Sequence, residues 1–458
     1  MNNYYSTSAK IEITPDKNLP LAGLHRLNSP PFKKIDDPLE INAILLNYKK
    51  ENVVFLSADT LYVTDAIKKR ILQIVNKNHN LSDKQLFFGS THTHYAPSLD
   101  KDKPHLGSVD TSYELFFINS CIKVIDKLFT KKISKVELIY NEYQTDLNIN
   151  RRKIAWDENY VLNKYLLKVL RKIGSTTLSR IFSSLNRWFF KREMRIFPNP
   201  DGITDNNIYS ISMRKKDNTL VGVIWSYACH PVCYPNGRNV TSHFPGAARN
   251  SLRDKINQEN LPVVYFQGFS GNIRPTSFED MNSLKSKILL KLNGYPRFSD
   301  YSLSSYESWT NRLNQCFINT VISSKGVIVN PKIQCANYKI PISKMLKMRI
   351  KKDILITFQS IKLGNHYCFL GVSGEPAAEY VLLLKQYFSD FKIIPVGCLS
   401  GTFGYIPTSA MIKEGGYESN GFLKPFSLNG KFRNDIQSTF LESSKQVLNF
   451  SPFNTSLL

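Results

Sequence analysis

Short apolar runs alternate with amphipathic stretches along the first half of the chain. AKIEITP, INAILLNY and NVVFLSADT are brief, β-branched and bounded by turn residues, which predicts strands. VTDAIKKRILQIVNK follows with Val63, Ile67, Ile71 and Ile74/Val75 at helical spacing, which predicts an amphipathic helix. QLFFGS reads as the next strand, YELFFINSCIKVIDKLF as a second helix, and KVELIYNEYQ as a strand leading into NINRR. Farther on, LVGVIWSYACHP and PVVYFQGFSGN are apolar throughout, as strands buried on both faces are. ILITFQSIKLGNHYCFLGVSGEP predicts a hairpin about Gly364-Asn365, and AAEYVLLLKQYF a helix after it. Helices alternating with buried strands imply an α/β architecture around a largely enclosed sheet. No internal repeat and no low-complexity linker interrupts the chain, so a single domain over 1–458 with one insertion is the simplest organisation.

The insertion spans about 157–194. Leu162, Tyr165, Leu166, Val169, Leu170 and Ile173 form one apolar helical stripe beside Lys164, Lys168, Arg171 and Lys172. After Gly174 a second segment repeats the pattern with Leu178, Ile181, Phe182, Leu185, Trp188 and Phe189 beside Arg180, Arg187, Lys191 and Arg192. No acidic residue falls between Asn159 and Arg192. Two readings stay open: a helical hairpin packed on the domain with a solvated basic face, or a surface helix lying in an anionic membrane interface.

The totals change the picture in one respect. Sixty Lys and Arg against thirty-seven Asp and Glu give a net charge of +23, which suits a polyanionic partner: anionic lipid, a phosphorylated substrate or nucleic acid. Nucleic acid is not expected, because no reader motif accompanies the charge. The seven cysteines are odd in number and lie mostly in apolar contexts, which fits reduced, buried thiols. No apolar run reaches the ~18 residues of a membrane span. The N-terminus has neither a basic n-region nor an apolar h-region, so the expectation is a cytoplasmic protein, peripheral on the inner face of a membrane if the insertion binds lipid.

Candidate chemistry centres on STHTHYAPSLD, where His92 and His94 are separated by one residue straight after a strand. A strand that ended there would send both imidazoles to one side, for shared metal ligation or for one ligand and one acid/base. A metal site needs three or four N/O ligands, and His230 in ACHPVCYP and Glu375 in VSGEPAAEY also end apolar runs. Each has an ordinary alternative: a satisfied core histidine, or an acidic group at a helix start. Arg151, Tyr405 and Tyr417 likewise read as surface cation and packing residues when taken singly.

Taken in order, these motifs resemble the neutral, non-lysosomal ceramidases over nearly the whole chain. AKIEITPDKNLPLAGL, NVVFLSADTLYV, STHTHYAP, NINRR, the run from NPDGITDNN to ACHP, FQGFSGNIRP, SGEP and GYIPTSAMIKEGGYE all find counterparts there. The resemblance implies a layered α/β/α catalytic domain with a central, largely buried mixed sheet. It implies Zn2+ held by His92, His230, Glu375 and Tyr405, with His94, Arg151 and Tyr417 around a scissile amide. Asp59 and Asn272 are expected to orient ligand imidazoles.

Three departures from the family bear on the substrate. His243 stands where the family has an acidic residue, and Tyr95-Ala96 replace a small pair after the second histidine, which should narrow the pocket mouth. No immunoglobulin-like C-terminal domain is expected. The expected activity is therefore hydrolysis of an N-acyl amide by metal-activated water, on a lipid or lipid-linked amphiphile at a membrane surface. Two alternatives remain: an N-deacetylase of a nucleotide- or lipid-linked amino sugar, with Tyr95 stacking on the ring, and a non-catalytic membrane-binding protein on the same fold.

Overall fold

The structure, a computed structural model, describes residues 3–23, 26–155, 193–278, 284–348 and 354–448. The basic insertion lies outside them, except for Glu193 and Met194, which open a strand. The first ten strands are β1 (Tyr4–Glu12), β2 (Glu40–Tyr48), β3 (Glu51–Ala58), β4 (Leu86–Ser90), β5 (Ser134–Gln144), β6 (Asn148–Ala155), β7 (Glu193–Asn199), β8 (Asn207–Arg214), β9 (Leu220–Tyr227) and β10 (Val263–Gln267). A nine-stranded sheet runs in the order β10-β9-β8-β5-β1-β2-β3-β4, with Val327–Val329 beside β5. The pairs β3/β4 and β9/β10 are parallel and the others antiparallel, so the sheet is mixed.

Both faces of this sheet are covered, which is why its strands read as continuous apolar runs. From β2, Ile41, Ala43 and Leu45 pack against the helices Asp65–His79 and Thr111–Thr130. Ile44 and Leu46 point the other way, toward Ile361, Phe369 and Ile394 of a second sheet. That sheet pairs Ile333–Pro341, Leu355–Leu363, Tyr367–Val372 and Lys392–Val396. Its far face is closed by the helices Glu379–Tyr387 and Ile436–Leu448. The enclosed mixed sheet is present as expected, and the second sheet adds a layer. Both early helices start where side chains accept from free N–H groups: Thr64 from Ile67 (3.2 Å) and Asp110 from Tyr113 (2.9 Å). The hairpin at Gly364-Asn365 also forms, with Leu363 opposite Tyr367.

One crossing positions the site. Strand β10 passes over β2, β3 and β4 in turn: Val263 N donates to Asn42 Oδ1 (3.2 Å), Ser57 Oγ to Tyr265 O (2.5 Å), and Phe266 packs on Phe87 at 5.1 Å. Gly89 permits the approach, since a Cβ there would lie 2.8 Å from the Phe266 ring. The segments leaving β4, β9 and β10 therefore meet.

Candidate metal centre

Strand β4 ends at Ser90, before the histidines, so strand alternation is not what pairs them. His92 instead takes a left-handed backbone (φ 64°), at a cost of about 1–3 kcal/mol that surrounding contacts must hold. Its N–H donates to Thr60 O (3.0 Å) and its ring Nδ1–H to Leu61 O (3.1 Å), which leaves Nε2 as the bare nitrogen. The turn sets the His92 and His94 rings 5.0 Å apart and nearly perpendicular. His230, three residues past β9, repeats the arrangement: Nδ1–H donates to Ile273 O (3.0 Å) and Nε2 faces inward. One ligand atom from each of His92, His94 and His230 lies within 4.8 Å of the other two.

Glu375 and Tyr405 arrive together. They are register partners in the short parallel pair Glu375–Pro376 and Tyr405–Ile406, and Glu375 N donates to Gly404 O (2.9 Å). The turn FQGFSGN closes against this pair: Gly271 N donates to Pro376 O (2.9 Å), and a Cβ on Gly271 would lie 2.5 Å from Glu375 O. Glu375 Oε2 stands 3.0 Å from His230 Nε2 and 3.5 Å from His92 Nε2. The Tyr405 hydroxyl is 3.4 Å from His230 Nε2.

The donor set fits a cation. With both Nδ1 atoms committed to carbonyls, two imidazole lone pairs point at one carboxylate oxygen. Burial lowers the His92 pKa to about 4 against the pull of Glu375, and lowers His230 with help from Arg151. Burial and the neighbouring imidazoles hold His94 well below its ordinary value. Burial opposes ionisation of Glu375, but His92, His230 and the Tyr62 phenol overcome it and bring the carboxyl to about 2. Neutral imidazoles and an ionised carboxylate are the ligand forms at neutral pH. Converging lone pairs repel unless a positive ion lies between them, and His92 Nε2 and His94 Nε2 are buried without a hydrogen-bond partner. His94 is the one imidazole of the three that keeps some exposure.

Arg151 and Tyr417 flank this centre. Arg151 leaves β6 with Nε on Glu418 Oε1 (2.8 Å) and Nη2 on Gly271 O (2.7 Å); its guanidinium lies 5.5 Å from the Tyr405 ring centre and 5.9 Å from that of Tyr417. Burial works against its charge, yet Tyr405 and Glu418 keep it cationic. Burial pushes the Tyr417 phenol up, so it stays protonated, and its hydroxyl is buried without a partner. Sequence reading missed Tyr62 and Glu418. Tyr62 donates to Glu375 Oε1 (2.5 Å), and Glu418 bridges Arg151 to Arg152 Nη1 (2.7 Å). Glu418 follows Tyr417 within GGYE and was within reach of that motif; Tyr62 ends an apolar run and reads as core.

Four expected residues sit elsewhere. Asp59 and Asn272 do not orient the imidazoles, because the Leu61 and Ile273 carbonyls take both ring N–H groups. Asp59 instead pairs with Arg249 (3.0 Å), and Asn272 bonds Glu379 (2.9 Å) and Ala378 N (2.8 Å). Tyr95 is 6% exposed and does not narrow a mouth: its ring stacks on His243 at 5.6 Å and its hydroxyl accepts from Tyr234 N (2.9 Å). His243 is buried among Tyr95, Tyr234, Phe244 and Tyr306, which holds its pKa at about 3 and keeps it neutral where an acidic residue was expected in relatives.

No family model and no curated protein matches the sequence. Among solved structures, the neutral ceramidase from Pseudomonas aeruginosa matches with a TM-score of 0.72 at 12% identity, over 100% of this chain and 76% of that one. A ceramidase complexed with C2 matches with a TM-score of 0.71 at 11% identity, over 98% of this chain and 75% of that one. The chain thus has the neutral-ceramidase fold, as its motifs imply, with a buried histidine and glutamate group at the meeting point of its strand ends.

Proposed function

We propose that the chain is a zinc-dependent amide hydrolase that removes an acyl group from an N-acylated lipid or lipid-linked amphiphile. The observation that carries this reading is the buried convergence of neutral His92 and His230 on ionised Glu375, with His94 grouped with the two imidazoles and Arg151 and Tyr417 beside them. We assign the ion to His92, His230, Glu375 and Tyr405. Zinc bound there would supply a water of pKa near ~7 and polarise a carbonyl.

The chain's own groups do the rest. His94 Nε2, unpaired and neutral, accepts a proton from the attacking water and returns it to the leaving amine nitrogen. Arg151, held by Glu418 and Gly271 O, presents a fixed positive charge to the oxygen that gains charge as the carbonyl carbon becomes tetrahedral. The Tyr417 hydroxyl supplies an additional donor to that oxygen. All these groups are set before substrate arrives, so no reorganisation is needed as charge develops.

The amino-sugar reading loses one of its two supports, since Tyr95 is buried with a ring face stacked on His243; the net positive charge it also drew on is unaffected. The lipid reading draws on the neutral-ceramidase fold and on the basic amphipathic stretch 160–192, a feature of sequence alone. Among the described residues no helix is long and apolar enough to cross a membrane. The test is zinc content of the purified chain, with mass spectrometry of products from N-acyl substrates of graded acyl length. Near-stoichiometric zinc and release of long acyl chains are expected. A chain purified in metal-replete medium without zinc would sink the proposal, and release of acetyl alone would restore the deacetylase.

A further inference from the structure

The segment Leu61-Tyr62 touches the site twice. The Leu61 carbonyl accepts from His92 Nδ1 (3.1 Å), and the next residue's phenol donates to Glu375 Oε1 (2.5 Å). Tyr62 is itself pinned on several sides. Its ring lies 5.0 Å from that of His92 and 6.1 Å from that of Phe426, and Lys103 Nζ stands 5.2 Å from its centre. Lys103 is held in turn by Asp100 and by Thr402 O (2.9 Å). A phenol so fixed can aim its O–H in few directions.

The two Glu375 oxygens therefore have separate partners. Oε1 is taken by Tyr62, and Oε2 faces His230 and His92. A glutamate carboxylate otherwise turns broadly about its last torsion. We infer that Tyr62 is a positioning residue that holds Glu375 with Oε2 toward His92 and His230 and so sets the affinity of the site for the metal it would hold. The inference rests on the metal-site reading given under Proposed function, and it adds a residue outside the four assigned ligands. A purely packing role would leave the carboxylate torsion to the ligand shell; the hydrogen bond removes that freedom.

The test is a double-mutant cycle on the full chain, read as zinc affinity by competition with a chromophoric chelator. Cobalt(II) absorption provides a second readout of ligand geometry. Tyr62→Phe removes one hydroxyl and should weaken zinc binding about 10- to 100-fold, the usual effect of losing a partner that orients a ligand. It should also change the cobalt band. In a Glu375→Asp background, which keeps a carboxylate but withdraws it from the Tyr62 hydroxyl by one methylene, the same substitution should change affinity less than threefold. Tyr62→Met, which also lacks the donor, provides the same reading should the Phe variant fold poorly. Equal affinity in Tyr62→Phe and wild type, or an equal loss in both backgrounds, overturns the inference while leaving the zinc site standing. A wild-type chain that binds no zinc overturns both.

Discussion

Glu40 opens β2 and carries an ion cluster that anchors the helix His243–Lys255 to the sheet. Its carboxylate receives Arg253 through both terminal nitrogens (3.0 and 2.9 Å), Arg249 Nε (3.3 Å) and Lys10 Nζ (3.2 Å). Burial alone would raise its pKa, but Arg249, Arg253 and Lys10 outweigh that and bring it from 4.5 to about 2. That interval corresponds to about 3 kcal/mol in favour of the folded anion. The folded value is the lower one, so this stability is complete above pH 4.5 and fades as pH falls toward 2. Glu40→Gln keeps the shape and removes the charge. It should lower unfolding stability by about 3 kcal/mol at pH 7, and the gap from wild type should close between pH 4.5 and about 2 as wild-type Glu40 protonates. Urea unfolding followed by the fluorescence of buried Trp225 and Trp309 measures both. A gap below about 1 kcal/mol at pH 7, no more than an average point substitution costs, or one that persists unchanged at low pH, would refute the reasoning.

His92→Ala and Glu375→Ala should each lose the metal, whereas His94→Ala should keep it and lose turnover; elemental analysis of the purified variants decides, and loss of metal in His94→Ala would point to a three-histidine site. Glu418→Ala leaves two buried guanidinium groups short of a shared carboxylate, so it should cost about 3–5 kcal/mol of stability and, by freeing Arg151, about 100-fold in kcat. Urea unfolding and steady-state kinetics check the two effects, and unchanged kcat would remove Arg151 from the mechanism. Deleting 160–192 should weaken binding to anionic vesicles and spare hydrolysis of a soluble short-chain amide; unchanged sedimentation with vesicles would mean the segment packs instead.

Much of the layout was legible in the residues because burial on both sheet faces leaves a direct mark. INAILLNY and NVVFLSADT are apolar at odd and even positions alike, and both positions find a core. That His92, His230 and Glu375 would come close together was legible from their places at the ends of such runs, whereas Tyr405 was marked only by the family resemblance. What escaped was the contact made between distant segments. Nothing in LYV says that Tyr62 will meet a carboxylate 313 residues later. Tyr95 looks like a pocket residue after THTH, yet the turn at His92 sends it under His243. Asp59 follows a strand as a metal-orienting carboxylate would, but the crossing of β10 and the packing of His243–Lys255 give it Arg249. The long helix Leu303–Ile322 has apolar Tyr306, Trp309, Leu313, Phe317 and Val321 at helical spacing, a signal open to the same reading as its neighbours.

Both inward-facing imidazoles are steered by peptide oxygens, those of Leu61 and Ile273. Every residue type carries that oxygen, so drift at positions 61 and 273 cannot delete the contact; only a shift of the chain path can. A site steered by side chains would need matching changes at each partner to survive divergence. Here the two contacts depend on β3, β4, β9 and β10 keeping their course. At 12% identity with a solved structure of the same fold, what this chain shares with it is the course of the backbone, and that course is what aims the two imidazoles here.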